Sequence, residues 1–158
     1  MTGVLNVFTD GACHGNPGPG GWGWIIDPDT LPHDWIGLTE GSGGTEQTTN
    51  QRMELTAALM ALRIMDMRHV PHVRILSDST YLVKCFTDGW WRGWLRRNWT
   101  NAKGDPVANA DLWRSLIPLA TERPMLVEFQ WVKAHCGIEL NEAADRLATA
   151  GVPGARTR

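Results

Sequence analysis

Two short apolar runs, residues 4–9 (VLNVFT) and 73–77 (VRILS), stand on either side of a long amphipathic stretch at 51–67. In that stretch Leu55, Ala58, Leu59, Leu62 and Met65 recur at helical spacing, and Thr48, Thr49 or Asn50 can cap its start. A strand–helix–strand crossover places its two strands parallel within one sheet. That single constraint commits the middle of the chain to an α/β arrangement.

The segments around it extend the sheet. HGNPGPGG at 14–21 reads as a turn, and GWGWIID at 21–27 alternates like a second, antiparallel strand. DPDTLPHD at 27–34 breaks it, a third strand is expected at 35–40, and GSGG at 41–44 reads as a flexible loop. Downstream, 80–86 is helical and 90–98 a short exposed helix. Asp111 is placed to cap a helix to about 122, which Pro118 should kink or interrupt. Residues 126–132 form a last strand and 140–150 a last helix, ended by Gly151 and Pro153. The expected fold is α/β, a five-stranded mixed sheet flanked by helices. With 158 residues, 42% of them apolar, it fits one domain over 1–150 and a short tail at 151–158.

The formal net charge of −2 does not mark a nucleic-acid binder, but the distribution does. Residues 84–103 carry Lys84, Arg92, Arg96, Arg97 and Lys103 against Asp88 alone, a net +4 beside −6 for the remainder. A basic patch on an acidic body suits a polyanion. The same stretch interleaves Trp90, Trp91, Trp94 and Trp99 with arginines. Trp90, Trp94 and also Trp91 can pack inward at helical spacing, and the remaining surface offers flat aromatic and guanidinium groups to a nucleic-acid backbone. Cys13, Cys85 and Cys136 are odd in number and widely separated, which points to reduced thiols. No leader or membrane-spanning run is visible, so the chain is expected to be a cytoplasmic protein with no membrane partner.

Four carboxylates lie in four distinct contexts: Asp10 in FTDGACHGNPGPGGWG, Glu54 in TTNQRMEL, Asp78 in ILSDST and Asp145 in HCGIELNEAADRLA. Taken singly, each is as readily a helix cap or a solvated acid. Asp10 and Asp78, however, follow two neighbouring parallel strands, where ligand sites of open α/β sheets gather. Like charges brought together repel and seldom persist without cations. His135, in VKAHCG, is either a loop histidine without a task, a metal ligand or a proton shuttle beside such cations; hard cations favour oxygen donors over it. Asn16, Thr49, Asn50 and Gln51 flank the acids; each can satisfy a local turn or cap, and together they can read a minor groove with 2′-hydroxyls.

DGACHGNPGPGGWG, TNQRMEL, SDST and VKAHCGIELNEAADRLA, in this order, resemble the main motifs of ribonuclease H of the bacterial type-1 class. The resemblance runs from residue 4 to residue 150 and implies the ribonuclease H-like fold. It further implies endonucleolytic cleavage of the RNA strand of an RNA/DNA hybrid, with two Mg²⁺ ions for which Mn²⁺ can substitute, giving 5′-phosphate and 3′-hydroxyl ends. Asp10, Glu54, Asp78 and Asp145 match the family's metal-binding carboxylates, and His135 its mobile-loop histidine. Residues 89–103, with Trp90, Trp94, Arg96, Arg97 and Trp99, resemble the basic protrusion that grips the DNA strand. Thr49 and Asn109 match positions that hold a DNA phosphate; Asn16, Asn50 and Gln51 match minor-groove contacts. Gln51 replaces an asparagine and Thr80 a glutamine of some relatives, and the turn at 27–34 is longer than usual. The enzyme is expected to act as a monomer. Two other readings are a catalytically weak hybrid-binding module and a transposase- or integrase-like nuclease on the same fold; the first would lack a carboxylate, the second would carry further DNA-binding domains.

Overall fold

The computed structural model describes residues 3–134 and 138–154. Among them five strands form one mixed sheet: β1 (Leu5–Cys13), β2 (Gly18–Ile26), β3 (Glu40–Thr48), β4 (His72–Ser77) and β5 (Leu126–Trp131), in the order β3-β2-β1-β4-β5. β1, β4 and β5 run parallel, and β2 and β3 complete an antiparallel meander on the other side. The helices are α1 (Asn50–Met67), α2 (Thr80–Thr87), α3 (Trp90–Arg96), α4 (Ala110–Thr121) and α5 (Glu139–Gly151).

Alternation along the strands decides which helices cover which face. Leu5, Val7, Val73 and Ile75 meet Leu55, Ala58, Leu62 and Met65 of α1, with Leu82, Trp113 and Leu116 closing the layer. Each fully buried Leu or Ile here contributes about 1.5–3 kcal/mol. On the opposite face Phe8 and Leu76 pack with Val132, just after β5, and with Ala144 of α5. None of the described helices is long and apolar enough to cross a membrane.

Several local expectations are corrected. The third strand lies at Glu40–Thr48, not at 35–40, and GSGG is a piece of that strand and not a flexible loop. The register explains why glycine is used. Trp24 faces Gly41 and Trp22 faces Gly43 across the pair, and each indole lies where a Cβ on its partner glycine would be. Gly44 abuts the Gly151 carbonyl of α5, so a side chain there would collide with backbone. These glycines let rings and a helix approach the sheet closely. Residue 111 is likewise not the cap of α4. Asn109 holds that position in a left-handed conformation (φ 58°), and Asp111 turns its carboxylate to Arg52 instead. The helix continues through Pro118 without interruption. At the far end α5 reaches Gly151, and the following Val152 is buried.

Candidate active site

β1 is longer than its sequence suggests, so Asp10 lies within the strand and not after it. The parallel ladder with β4 nevertheless stops at Phe8–Leu76. Beyond that point β1 is paired only with β2, and Asp10 emerges beside the end of β4, where Asp78 begins the turn into α2. Glu54 reaches the same place from the opening of α1. Thr49 caps that helix, its side chain accepting from the Arg52 N–H at 3.2 Å. One carboxylate oxygen from each of Asp10, Glu54 and Asp78 lies within 4.8 Å of the other two. Asp145, on α5, lines the same cleft as Asp10 but stands outside that trio.

The cleft is electrostatically strained. Asp10 and Glu54 are each only 5% exposed. Burial pushes the Asp10 carboxyl from 3.8 up to about 7, with the charge of Asp78 adding to it and Asp145 contributing further. Burial likewise holds Glu54 well above its ordinary range, followed by the charges of Asp10 and Asp78. The Gly11 N–H, donated to Asp10 Oδ1 at 2.9 Å, offsets part of this for both acids. Glu54 Oε1 is buried with no hydrogen-bond partner among the described residues. A buried, unsatisfied carboxylate oxygen in an all-oxygen donor set fits a hard divalent cation. These residues can therefore hold a metal.

Gly11 carries no motif-level signal beyond its place after Asp10, yet the site depends on it. A Cβ there would lie 2.5 Å from the Glu54 nitrogen and 2.6 Å from the Met53 carbonyl carbon. Only glycine lets the start of α1 press against β1. Tyr81 is a second residue the sequence did not single out. It lines the cleft, and its hydroxyl accepts from Asn109 Nδ2 at 3.2 Å and from Trp113 Nε1 at 3.0 Å. No local pattern announces contacts made between α2 and α4.

The flanking polar residues fall into two groups. Asn50 and Gln51 line the cleft, and Asn16 Oδ1 accepts from the Asn50 N–H at 2.8 Å. Thr49 and Asn109 are joined through Arg52, whose guanidinium binds Asp111 at 2.7 and 2.9 Å and approaches Asn109 Oδ1 at 3.4 Å. The tryptophan-rich segment is anchored by Trp94, which is buried and packs on Trp90, Trp99 and Trp113 with ring centroids 5.4–6.4 Å apart. Asn98 and Trp99 both take positive φ, turning the chain after α3, and the Arg114 guanidinium lies 4.4 Å over the Trp99 ring. Arg96 and Arg97 are exposed. His135 lies outside the described residues.

The model of the RNase H family matches residues 2–153. The chain is similar to the ribonuclease H of Acidiphilium cryptum (strain JF-5), 43% identical over 148 residues that make up 94% of this chain and 86% of that protein. It is 46% identical to the ribonuclease H of Saccharopolyspora erythraea over 148 residues, 94% of this chain and 90% of that one. A solved type 1 RNase H with the type 2 active-site motif aligns with a TM-score of 0.80 at 28% identity, covering 98% of this chain and 74% of that one.

Proposed function

The chain belongs to the RNase H family, and on that premise we propose that it cuts the RNA strand of RNA/DNA hybrids endonucleolytically, leaving 5′-phosphate and 3′-hydroxyl ends. Its class of enzyme, ribonuclease H, and a need for divalent metal come with the family. The observation that carries the finer reading is the trio of Asp10 from β1, Glu54 from α1 and Asp78 from the turn after β4, with one carboxylate oxygen of each within 4.8 Å of the others. The buried, unpartnered Glu54 Oε1 supports it.

In this reading Asp10, Glu54, Asp78 and Asp145 hold two Mg²⁺ ions, with Mn²⁺ as a substitute. Such ions, when bound, activate water and neutralise charge on the attacking and leaving oxygens. The chain's own residues do the rest. Gly11 orients the Asp10 carboxylate and lets α1 bring Glu54 against it. His135 relays a proton at the leaving oxygen. Thr49 and Asn109, tied through Arg52, hold a phosphate of the DNA strand. Asn16, Asn50 and Gln51 contact the minor groove of the hybrid. Trp90, Trp94, Arg96, Arg97 and Trp99 form the grip on the DNA strand, with Trp94 supporting from beneath. Residues 1–150 act as a single catalytic domain, as a monomer in the cytoplasm.

The test is cleavage of a labelled RNA/DNA hybrid with Mg²⁺, beside single-stranded RNA, duplex RNA and duplex DNA. The expected result is cutting of the hybrid's RNA strand alone, with products that a 5′-phosphate-dependent exonuclease degrades. Equal cutting of duplex RNA or duplex DNA would overturn the hybrid assignment.

A further inference from the structure

Asp78 is a turn residue between β4 and α2, and turns need tethers if they are to hold a ligand in place. Two tethers are local. Ser77 Oγ accepts from the Ser79 N–H at 3.0 Å, and Ser79 caps α2 by accepting from Leu82 N at 3.1 Å. The third comes from a different element. Trp131, the last residue of β5, stands opposite Ser77 in the parallel ladder, and its indole Nε1–H donates to the Asp78 carbonyl at 3.1 Å. The Val132 N–H donates to the Ser77 carbonyl at 2.9 Å, so β5 holds two consecutive carbonyls at the end of β4.

Packing alone does not account for this tryptophan. It is 49% exposed, and no ring stacks on it among the described residues. Two positions earlier on the same face, Phe129 stacks on Phe86 at 4.0 Å and serves the core without any polar atom. The feature that sets Trp131 apart is its N–H, and that N–H is spent on the backbone of a cluster carboxylate. We infer that Trp131 is a positioning residue for Asp78, fixing the turn from which that carboxylate joins Asp10 and Glu54. The inference rests on the reading of Asp78 as a metal ligand. A tether on the backbone of a ligand acts on the turn that carries the carboxylate, one step further out than a hydrogen bond to the ligating group itself, whose loss typically weakens metal affinity or activity about 10–100-fold.

The experiment compares wild type with Trp131→Phe and with a chain carrying benzothienylalanine at 131. The latter keeps the bicyclic shape and replaces the N–H by sulfur. Mn²⁺ binding is measured by calorimetry without substrate, melting is followed in chelator, and kcat and KM are measured on the hybrid. Both variants should bind Mn²⁺ about tenfold more weakly, at the low end of that range. They should lose kcat in similar proportion and keep the hybrid KM of wild type, with the chelator melting temperature lowered by no more than the few degrees that one lost hydrogen bond accounts for. Unchanged Mn²⁺ affinity, with or without a lower melting temperature, would reduce Trp131 to a structural residue. A raised KM with intact Mn²⁺ affinity would show instead that the exposed ring touches substrate, through the groove it lines with Thr80, Lys84 and Phe129. Either result overturns the inference. Asp78→Asn serves as the reference. If it binds Mn²⁺ as tightly as wild type, the assignment of Asp78 fails; if it loses binding while the Trp131 variants do not, only the role of Trp131 fails.

Discussion

Burial holds the Asp10 carboxyl up to about 7 from an ordinary 3.8, and Asp78 and Asp145 reinforce it. In the unfolded chain the group ionises near the lower value. Between roughly pH 4 and 7 the folded chain therefore keeps a proton that the unfolded chain has lost, and its contribution to stability falls as pH rises through that window. We predict that the metal-free protein is less stable at pH 8 than Asp10→Asn, by on the order of 2–4 kcal/mol at about 1.36 kcal/mol per pKa unit. The variant should lose this part of the pH dependence, and saturating Mg²⁺ should narrow the gap. Thermal melts in chelator at pH 4, 6 and 8 decide it, and a less stable Asp10→Asn at pH 8 would count against a repelling cluster. Asp10→Asn and Asp78→Asn should also lose nearly all cleavage while staying folded, as measured on the labelled hybrid. Gly11→Ala attacks the same site through space and not charge. Its Cβ meets the Glu54 nitrogen, so α1 must shift. We expect about 1–3 kcal/mol of destabilisation and a drop in kcat; wild-type melting and turnover would contradict the close approach. The meeting of Asp10, Glu54 and Asp78, with Asp145 lining the same cleft, was foreshadowed because each acid sits in an extended motif. The close approach at Gly11 and the hydrogen bonds of Tyr81 and Trp131 were not, since a missing Cβ and a hydrogen bond between distant elements leave no periodicity to read.

At the scale of elements, the parallel crossover of β1, α1 and β4 was readable because burial imposes period on sequence. Leu55, Ala58, Leu62 and Met65 must face the sheet, and they are buried there. β3 escaped for the opposite reason. Its sequence, EGSGGTEQT, offers no hydrophobic side chain, and its glycines serve partners that lie far away in the chain. Gly41 and Gly43 receive the Trp24 and Trp22 rings, and Gly44 receives the end of α5, which no local rule foretells. The start of α4 escaped similarly: Asn109 in a left-handed conformation leaves Asp111 free to bind Arg52 across from α1. The β3 assignment has a sharp consequence. Were residues 41–44 a flexible loop, an alanine at 44 would be harmless. In the strand its Cβ collides with the Gly151 backbone, and we predict that Gly44→Ala destabilises by about 1–3 kcal/mol through forced backbone shifts. Gly3→Ala, with nothing within 4 Å of the added carbon, is the control and should leave chemical denaturation unchanged. Equal midpoints for the two variants would contradict the packing of α5 against β3.

Charge is a property of the whole molecule, and here it is divided in space. The carboxylate cluster belongs to a body of net −6, whereas residues 84–103 carry +4. On the proposed reading a polyanionic substrate is repelled by the first and drawn by the second, which would separate the surface that grips from the one that cuts. The tertiary structure gives the basic segment a buried base: Trp94 is sunk among Trp90, Trp99 and Trp113, while Arg96 and Arg97 stay exposed on the same short helix and its cap. Sequence displayed the alternation of tryptophan and arginine but not which rings anchor and which guanidinium groups remain outside, because that depends on Trp113 of α4 meeting Trp94 from the other side. If the two surfaces are separable, so are their kinetic signatures. Replacing Arg96 and Arg97 together by alanine removes two exposed cations without touching Asp10, Glu54 or Asp78. Hybrid KM should rise, and the slope of log affinity against log salt should flatten by roughly 0.7–0.9 for each phosphate no longer neutralised. Turnover at saturating hybrid should fall far less, since the cluster keeps its geometry. Measuring kcat and KM at two or more salt concentrations separates the terms. An unchanged KM and slope would mean that the arginines are only solvated charges and that hybrid is held elsewhere. An equal loss of kcat would mean that the basic segment aligns the reacting phosphate as well as gripping the duplex.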